Sequence, residues 1–295
     1  MKKSAKKLTS GRVTYFAFTL IPLILYTFFY VISVITGVRY SFTDWDGMSR
    51  TYTVVGMKNY ARLLKNPHFW NSMKVTVQYS ILLTVCVISV SLILAIGLNS
   101  LKRFKTFTKS IFFVPAMIGG VTIALIWDQL FYRVVPLIGE ALHIGWLSQS
   151  LLSNGKLALP AVVFVQTWQA VATPTVIFIA GLQQIPDDQY ESAKMDGATV
   201  FQRFRYITMP YLLPTVTVNL VLVIKQGFTA FDFPFALTGG GPVRATEVIG
   251  ILIYKDAYQN MKFSTANAES CLLFIVVAAF SLIQMKLINR KGGDE

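Results

Sequence analysis

The sequence predicts an all-α, polytopic membrane protein. Of its 295 residues, 54% are hydrophobic and only 14% are charged, whereas charged residues average about 25% in soluble domains. The mean hydropathy is +0.55. Six apolar runs are each long enough to cross a bilayer core as a helix, which takes about 20 residues. Because backbone groups in lipid must form hydrogen bonds within their own segment, we expect all six runs to be helical.

The six predicted spans form a single membrane domain, residues 13–290. We place them at 13–38, 73–98, 108–131, 157–182, 207–230 and 267–288. Short tails, residues 1–12 and 291–295, flank this domain. The N-terminal tail is rich in lysine, but the apolar run behind it is too long for a secretory signal, so we expect it to be retained as the first span.

The basic residues predict the orientation of the chain. The net charge is +13, but Lys and Arg lie at the ends of the apolar runs, which argues against nucleic acid as a partner. Fifteen lie on the side that holds both termini and ten on the other side, although five of those ten fall in the 39–72 loop. Positive residues concentrate on the cytoplasmic side, so both termini of this multi-pass cell-membrane protein are expected there.

The sequence offers no catalytic or metal-binding arrangement. Cys86 and Cys271 both lie in apolar runs, where cysteine usually acts as a small buried hydrophobe, and they have no metal-ligand spacing. His68 and His143 fall in loops, and no span carries paired carboxylates. The chain lacks the G-x-x-x-x-G-K-[ST] phosphate loop. We therefore predict a non-catalytic protein that binds no metal and no cofactor itself.

A polar segment, residues 183–206, separates the fourth and fifth spans. Acidic residues after Pro186 favour a helix start, because carboxylates interact well with the positive end of the helix dipole. A short helix, Tyr190 to Met195, would end before Gly197, where glycine permits a turn. A second helical limb then leads into span five, and Glu191 would be exposed. A solvated connector is the alternative, because charge runs are usually solvated.

The spacing within this segment resembles the EAA signature of ABC importer permeases. Glu191, Ser192 and Ala193 are followed by Gly197, Ile207 and Pro210 at the intervals of that signature, with Ser192 in place of the usual alanine. The stretches "GMKNYARLL", "KSIFFVPAMI", "ALIWDQLF" and "FDFPFALTGGGPVRATEVIGILIY" are similar, in the same order, to the maltose-type carbohydrate-uptake branch. The tract "LTGGGP" resembles the first of its two paired permeases.

The resemblance implies an ABC type I importer permease fold and a set of partners. A second, homologous permease, two ATPase subunits that hold ATP and Mg, and an extracytoplasmic solute-binding protein are expected. The segment 183–206 would be the cytoplasmic coupling loop. Its ATPase-coupling residues would be Glu191, Ser192, Ala193, Asp196, Gly197, Ala198, Ile207 and Pro210. The outer turn that contacts the binding protein would be Gly239, Gly240, Gly241 and Pro242.

Polar residues inside spans are costly and therefore suggest a substrate pathway. Sugars are bound by aromatic faces together with polar groups. The candidate lining consists of Gln166, Trp168, Gln169, Lys225, Gln226 and Glu269. As alternatives, the glutamines of span four could serve hydrogen bonding between helices, and Lys225 could pair with Glu269 or snorkel to an interface.

We therefore predict a permease subunit of an ATP-driven, binding-protein-dependent importer of a sugar or oligosaccharide. Lys225 raises the hypothesis of an acidic substrate, such as a uronate oligosaccharide or a glycerol phosphate. The sequence does not specify the sugar. The alternative is an ion-coupled secondary transporter of small polar solutes, although the chain shows no inverted repeat typical of that class.

Overall fold

The computed structural model describes residues 15–100 and 105–291, which form helices and connecting loops. The only extended pairing in these two ranges is a single antiparallel bridge between Thr43 and Val54. The predicted all-α class is confirmed. The predicted N-terminal tail and residues 292–295 lie outside the described residues.

The described residues include twelve helices. In chain order they are α1 (Tyr15–Ser41), α2 (Lys58–Leu64), α3 (Pro67–Ser100), α4 (Lys105–Met117), α5 (Gly120–Ala141), α6 (Ala158–Ala170), α7 (Ala172–Leu182), α8 (Asp187–Met195), α9 (Val200–Phe228), α10 (Asp232–Thr238), α11 (Ile249–Tyr254) and α12 (Phe263–Lys291). Five of them, α1, α3, α5, α9 and α12, are long and apolar enough to cross a membrane. Helices α6 and α7 meet at 52° and together make a sixth, broken span.

The third predicted span, 108–131, is not one helix. Helix α4 ends at Met117 and α5 begins at Gly120, then continues to Ala141. Pro115 lacks an amide hydrogen, and Gly119 takes an extended conformation with φ −59° and ψ 138°. A Cβ on Gly120 would lie 3.2 Å from the ring of Phe233, so the break also lets α10 approach α5 closely.

Of the described residues, 15–65 and 253–272 form one compact unit. In it, the buried Asn59 amide of α2 donates hydrogen bonds to the carbonyls of Ser41 (2.9 Å) and Thr43 (2.7 Å). In the loop between α1 and α2, the Ser49 hydroxyl and two backbone amides donate hydrogen bonds to Asp46. These hydrogen bonds lower the pKa of Asp46 to about 2.

The other unit comprises the described residues of 66–252 and 273–291, and its centre is α3. Helix α3 packs against α9 along one face and against α6 and α7 along another. Tyr79, Leu83 and Val87 are fully buried on α3, one helical turn apart. A Cβ on Gly227 of α9 would lie 2.6 Å from the Cα of Ser80, so the two helices meet where glycine leaves room.

Replacing Gly227 with alanine should destabilise this unit. The added methyl overlaps the backbone of α3, and overpacking of this kind costs about 1–3 kcal/mol. Thermal unfolding in mild detergent, followed by size-exclusion chromatography, measures the loss. The control is Gly97→Ala on α3, where a Cβ meets nothing within 4 Å and the gain in helix propensity is the same. Equal melting temperatures for the two variants would contradict the close contact.

Candidate functional site

Helix α8 is the short polar helix predicted between spans four and five. It runs from Asp187 to Met195, three residues longer at its start than expected, because Pro186 is extended (ψ 135°) and the helix begins directly after it. Asp187 and Asp188 occupy its first turn and Lys194 its last, where each charge interacts favourably with the helix dipole. The sequence therefore stabilises both ends of a helix that is polar on most sides.

A tight turn ends α8 and leads into α9. The amide of Gly197 donates to Lys194 O (3.1 Å) and that of Ala198 to Ala193 O (2.9 Å), the paired bonds of a Schellman motif. Gly197 has φ +75°, which confirms the turn predicted there. Thr199 then caps α9 in a reciprocal capping box with Gln202.

Two hydrogen bonds join α8 to the first turns of α9. The Tyr190 hydroxyl lies 2.8 Å from the Thr208 hydroxyl, and the Gln189 amide donates to the Tyr211 hydroxyl at 2.6 Å. Tyr190 and Ile207 also pack against an apolar cluster at the ends of α3, α7 and α9. This end cluster consists of Ala95, Leu98, Phe178, Ile179, Leu182, Ile185 and Leu212. Helix α8 is therefore attached to α9 by hydrogen bonds and, through Tyr190, to an apolar cluster that α3 and α7 share with α9.

The opposite face of α8 is open. Of the eight predicted coupling residues, Glu191, Ser192, Asp196, Gly197 and Pro210 are exposed, while Ala193, Ala198 and Ile207 are half-buried. A shallow cavity of about 390 Å³ lies between α8 and α9. Its lining residues are Asp188, Gln189, Ser192, Ala193, Asp196 and Ile207.

Exposed apolar side chains surround the turn, and the sequence analysis did not select them. Met195 is 88% exposed, Val200 75%, Phe201 73% and Tyr206 75%. A sequence pattern does not show which side of a helix at the end of the molecule is covered. Their concentration beside Glu191 makes this end of the molecule an apolar surface with an acidic residue next to it.

The two glutamines of span four support helix packing. Gln166 is buried and accepts a hydrogen bond from the Tyr79 hydroxyl of α3. Gln169 donates to the carbonyl of Ile118 at 2.8 Å, at the break between α4 and α5. These contacts correspond to the alternative role in hydrogen bonding between helices.

Trp168 lies in an aromatic cluster. Its ring centre is 5.8 Å from that of Trp127, which also packs against Phe131 and Phe164. Trp168 is 42% exposed and lines an apolar groove of about 510 Å³ between α3, α4 and α6. Its surroundings are apolar.

Lys225 lies in the last turn of α9, where its charge complements the helix dipole. Its side chain and that of Gln226 are exposed, and within the described residues Lys225 forms no ion pair. Glu269, in the first compact unit, is fully buried. The six predicted pathway residues therefore have unlike surroundings, and their role in transport stays a prediction.

The glycine-rich tract forms a partly exposed turn after α10, in which Gly239 is exposed, Gly240 is buried, and Gly241 and Pro242 are half-buried. Gly239 and Gly240 have φ values of +59° and +93°, and Val243 at the tip is fully exposed. The buried carboxylate of Glu247 accepts from Arg244 (3.0 Å) and from the Ser72 hydroxyl of α3 (3.3 Å). The turn is therefore held at its base by buried contacts to α3, and Val243 is its most exposed residue.

Residues 67–291 match the family described as binding-protein-dependent transport system inner membrane component. The chain belongs to this family. It is 38% identical to the multiple sugar-binding transport system permease protein MsmF of Streptococcus mutans, over 92% of this chain and 94% of that protein. It is 33% identical to AmyD of Thermoanaerobacterium thermosulfurigenes, a probable permease for starch degradation products, over 99% of both chains.

Solved structures show the same fold. The chain superposes on a bacterial ABC transporter involved in the import of the acidic polysaccharide alginate, with a TM-score of 0.80 and 21% identity, over 95% of this chain and 96% of that one. A second structure, with the alginate pentasaccharide-bound periplasmic protein, gives a TM-score of 0.78 and 20% identity, over the same shares of the two chains. The predicted type I importer permease fold is confirmed.

Membership of this family settles the broad class of the protein. It is a membrane-embedded permease subunit of a binding-protein-dependent ABC importer, and its relatives are sugar permeases. Subunits of this kind are non-catalytic and bind no cofactor, and ATP hydrolysis belongs to a separate subunit. The ion-coupled secondary transporter is not favoured.

Replacing Gly197 should test the turn after α8. A valine there would have to adopt φ +75°, at a cost of about 1–2 kcal/mol, whereas asparagine tolerates this conformation. We expect faster trypsin cleavage after Lys194 in Gly197→Val and a rate near wild type in Gly197→Asn. Because a Cβ at this position meets nothing within 4 Å, steric overlap plays no part. Equal cleavage of both variants would contradict the strained-turn account.

Proposed function

We propose that this chain imports a sugar or oligosaccharide and that α8 couples transport to ATP hydrolysis on two partner ATPase subunits. The proposal rests on one observation: α8 is attached to the helix bundle on one face and exposed on the other. One face is attached through Tyr190, which packs against the end cluster, and through the hydrogen bond from Gln189 to Tyr211 of α9, while the other face is open. A helix with this arrangement can receive a force from a partner and pass it to the bundle.

The chemistry of the open face fits a protein partner. Met195, Val200 and Phe201 provide an apolar centre, which is what the buried core of a protein interface requires. Glu191 and Asp196 lie beside it as exposed carboxylates. We propose that a basic side chain of the ATPase subunit pairs with Glu191 while the apolar residues enter a groove on the same subunit.

The mechanism follows from what α8 contacts. ATP and Mg bound by the two ATPase subunits would close them and displace α8. Since Tyr190 packs with residues of α3, α7 and α9, the displacement would tilt these helices together. Packed interfaces switch between discrete arrangements, so a small shift at α8 can change which side of the membrane the pathway faces.

Two further partners, a second permease and a solute-binding protein, are proposed at surfaces away from α8. We propose a second, homologous permease as the partner within the membrane and a solute-binding protein at the Gly239–Pro242 turn, with Val243 at the contact. The end that carries α8 would then be cytoplasmic, and both termini would lie on that side. The structural relative solved with its periplasmic protein bound supports a partner of this kind.

The substrate is proposed to be a sugar, as the names of MsmF and AmyD indicate for those relatives. An acidic substrate is a narrower proposal that depends on Lys225. It is consistent with a relative from Agrobacterium fabrum, 29% identical over 84% of both chains, named as a permease for sn-glycerol-3-phosphate. An exposed lysine near the end of a membrane helix offers a cation to such a ligand.

Glu191→Lys should separate the ATPase subunit from the permease. Reversing this charge places two basic groups against each other, so we expect loss of the copurified ATPase and at least tenfold slower uptake in reconstituted vesicles. Glu191→Gln should give a smaller loss, since it removes the attraction without adding repulsion.

Glu140→Lys provides the matched control, because Glu140 is an exposed carboxylate on α5, outside the coupling loop. It should leave ATPase binding unchanged. Normal ATPase binding and uptake in Glu191→Lys would contradict the coupling role.

Lys225→Gln should slow transport of an acidic sugar more than that of a neutral one. A hydrogen bond to a charged group contributes about 1.5–3 kcal/mol, so we expect about a tenfold difference between the two substrates. Uptake of labelled uronate and neutral oligosaccharides, with the cognate binding proteins, measures it. Lys262→Gln, at an exposed lysine before α12, is the control. Equal loss for both substrates would contradict charge recognition.

A further inference from the structure

Two neighbouring cavities lie along α3, on the side away from its contact with α9. The outer cleft, of about 600 Å³, has both polar and apolar walls and lies between the beginnings of α3 and α6 and the loop before α11. Its polar lining consists of Asn71, Lys74, Gln78 and Lys156, and none of the described residues that line it is acidic. The apolar groove lined by Trp168, of about 510 Å³, runs between α3, α4 and α6.

The two cavities are adjacent along α3 and share part of their lining. Leu82 and Pro160 line both of them. One row of α3 side chains, spaced four residues apart, lines both cavities. Residues at this spacing lie along one oblique ridge of a helix surface. Lys74 and Gln78 stand in the outer cleft, and Leu82, Cys86, Val90 and Leu94 follow in the groove.

The dimensions match one leaflet of a bilayer. Lys74 to Cys86 covers twelve residue steps of helix, or about 18 Å at 1.5 Å per residue, so an acyl chain attached to a phosphate at Lys74 reaches the Leu82 and Cys86 part of the groove. Half of a hydrocarbon core measures about 15 Å. The charged outer cleft lies near the start of α3, and the end cluster that holds α8 lies at the other end of the same helix. The cleft thus lies at the surface opposite the coupling loop.

We propose that these two cavities together form a binding site for an anionic phospholipid of the outer leaflet. The phosphate would contact Lys74 and Lys156, with Asn71 and Gln78 as further polar partners. One acyl chain would lie in the apolar groove beside Leu82 and Cys86. A free oligosaccharide would match the cleft but not the apolar groove that adjoins it.

The test uses the complete transporter in nanodiscs that contain phosphatidylglycerol with a photoreactive diazirine on its acyl chain. Phosphatidylcholine with the same chain serves as the neutral probe. We expect α3 peptides between Leu82 and Leu94 to be labelled about tenfold more by phosphatidylglycerol, because each lysine near a membrane surface favours an anionic lipid. Equal labelling by the two lipids overturns the proposal.

Two variants test where the lipid phosphate and the acyl chain bind. Lys74→Gln with Lys156→Gln should abolish the preference for phosphatidylglycerol, whereas Lys58→Gln with Lys65→Gln, two exposed lysines outside the cleft, should preserve it. Val90→Trp should block the groove and remove labelling while the complex stays assembled. An unchanged preference in the first variant, or unchanged labelling in Val90→Trp, overturns the proposal.

A helix of the second permease is the competing occupant of the groove. Cys86 lies in the groove and can report on this alternative. Cross-linking of Cys86 to the second permease, with lipid labelling absent, overturns the lipid site. Neither result depends on ATP coupling, so the lipid site and the proposed function can fail separately.

Discussion

The contact of Tyr190 with the end cluster is the interaction on which the rest of this structure depends. Without it, α8 would be joined only to α9, through the hydrogen bond between Gln189 and Tyr211. With it, a helix that is exposed on one face shares a buried apolar core with α3, α7 and α9. The hydrogen bond between Tyr190 and Thr208 fixes the orientation of the tyrosine ring in that core.

Helix α3 extends this connection to the opposite end of the molecule. It contributes Leu98 to the end cluster and, some 26 residues earlier, Ser72 to the buried carboxylate of Glu247. Thr76 of the same helix accepts the amide of Ile249 at 2.8 Å. The base of the glycine-rich turn and the coupling end are therefore attached to one helix. A partner bound at either end can influence the other through α3.

The sequence predicted those features that depend on local chemistry. Acidic residues after Pro186 predicted α8, and Gly197 predicted a left-handed turn, because both signals act within a few residues. The break at Gly119 was missed because the apolar run continues through it, and hydropathy does not register a change in backbone direction. The exposure of Met195 and the burial of Gln166 depend on distant helices, so no local pattern could predict them.

The central claim is that α8 moves together with the end cluster. Spin labels at Ser192→Cys on α8 and Gln183→Cys at the end of α7, with Cys86 and Cys271 replaced by serine, measure it directly. Distances would be recorded by pulsed electron paramagnetic resonance in the assembled transporter, without nucleotide and with ATP trapped. The account predicts the same distance distribution in both states. A distribution that shifts or splits on ATP binding would show that α8 moves independently and would contradict the account.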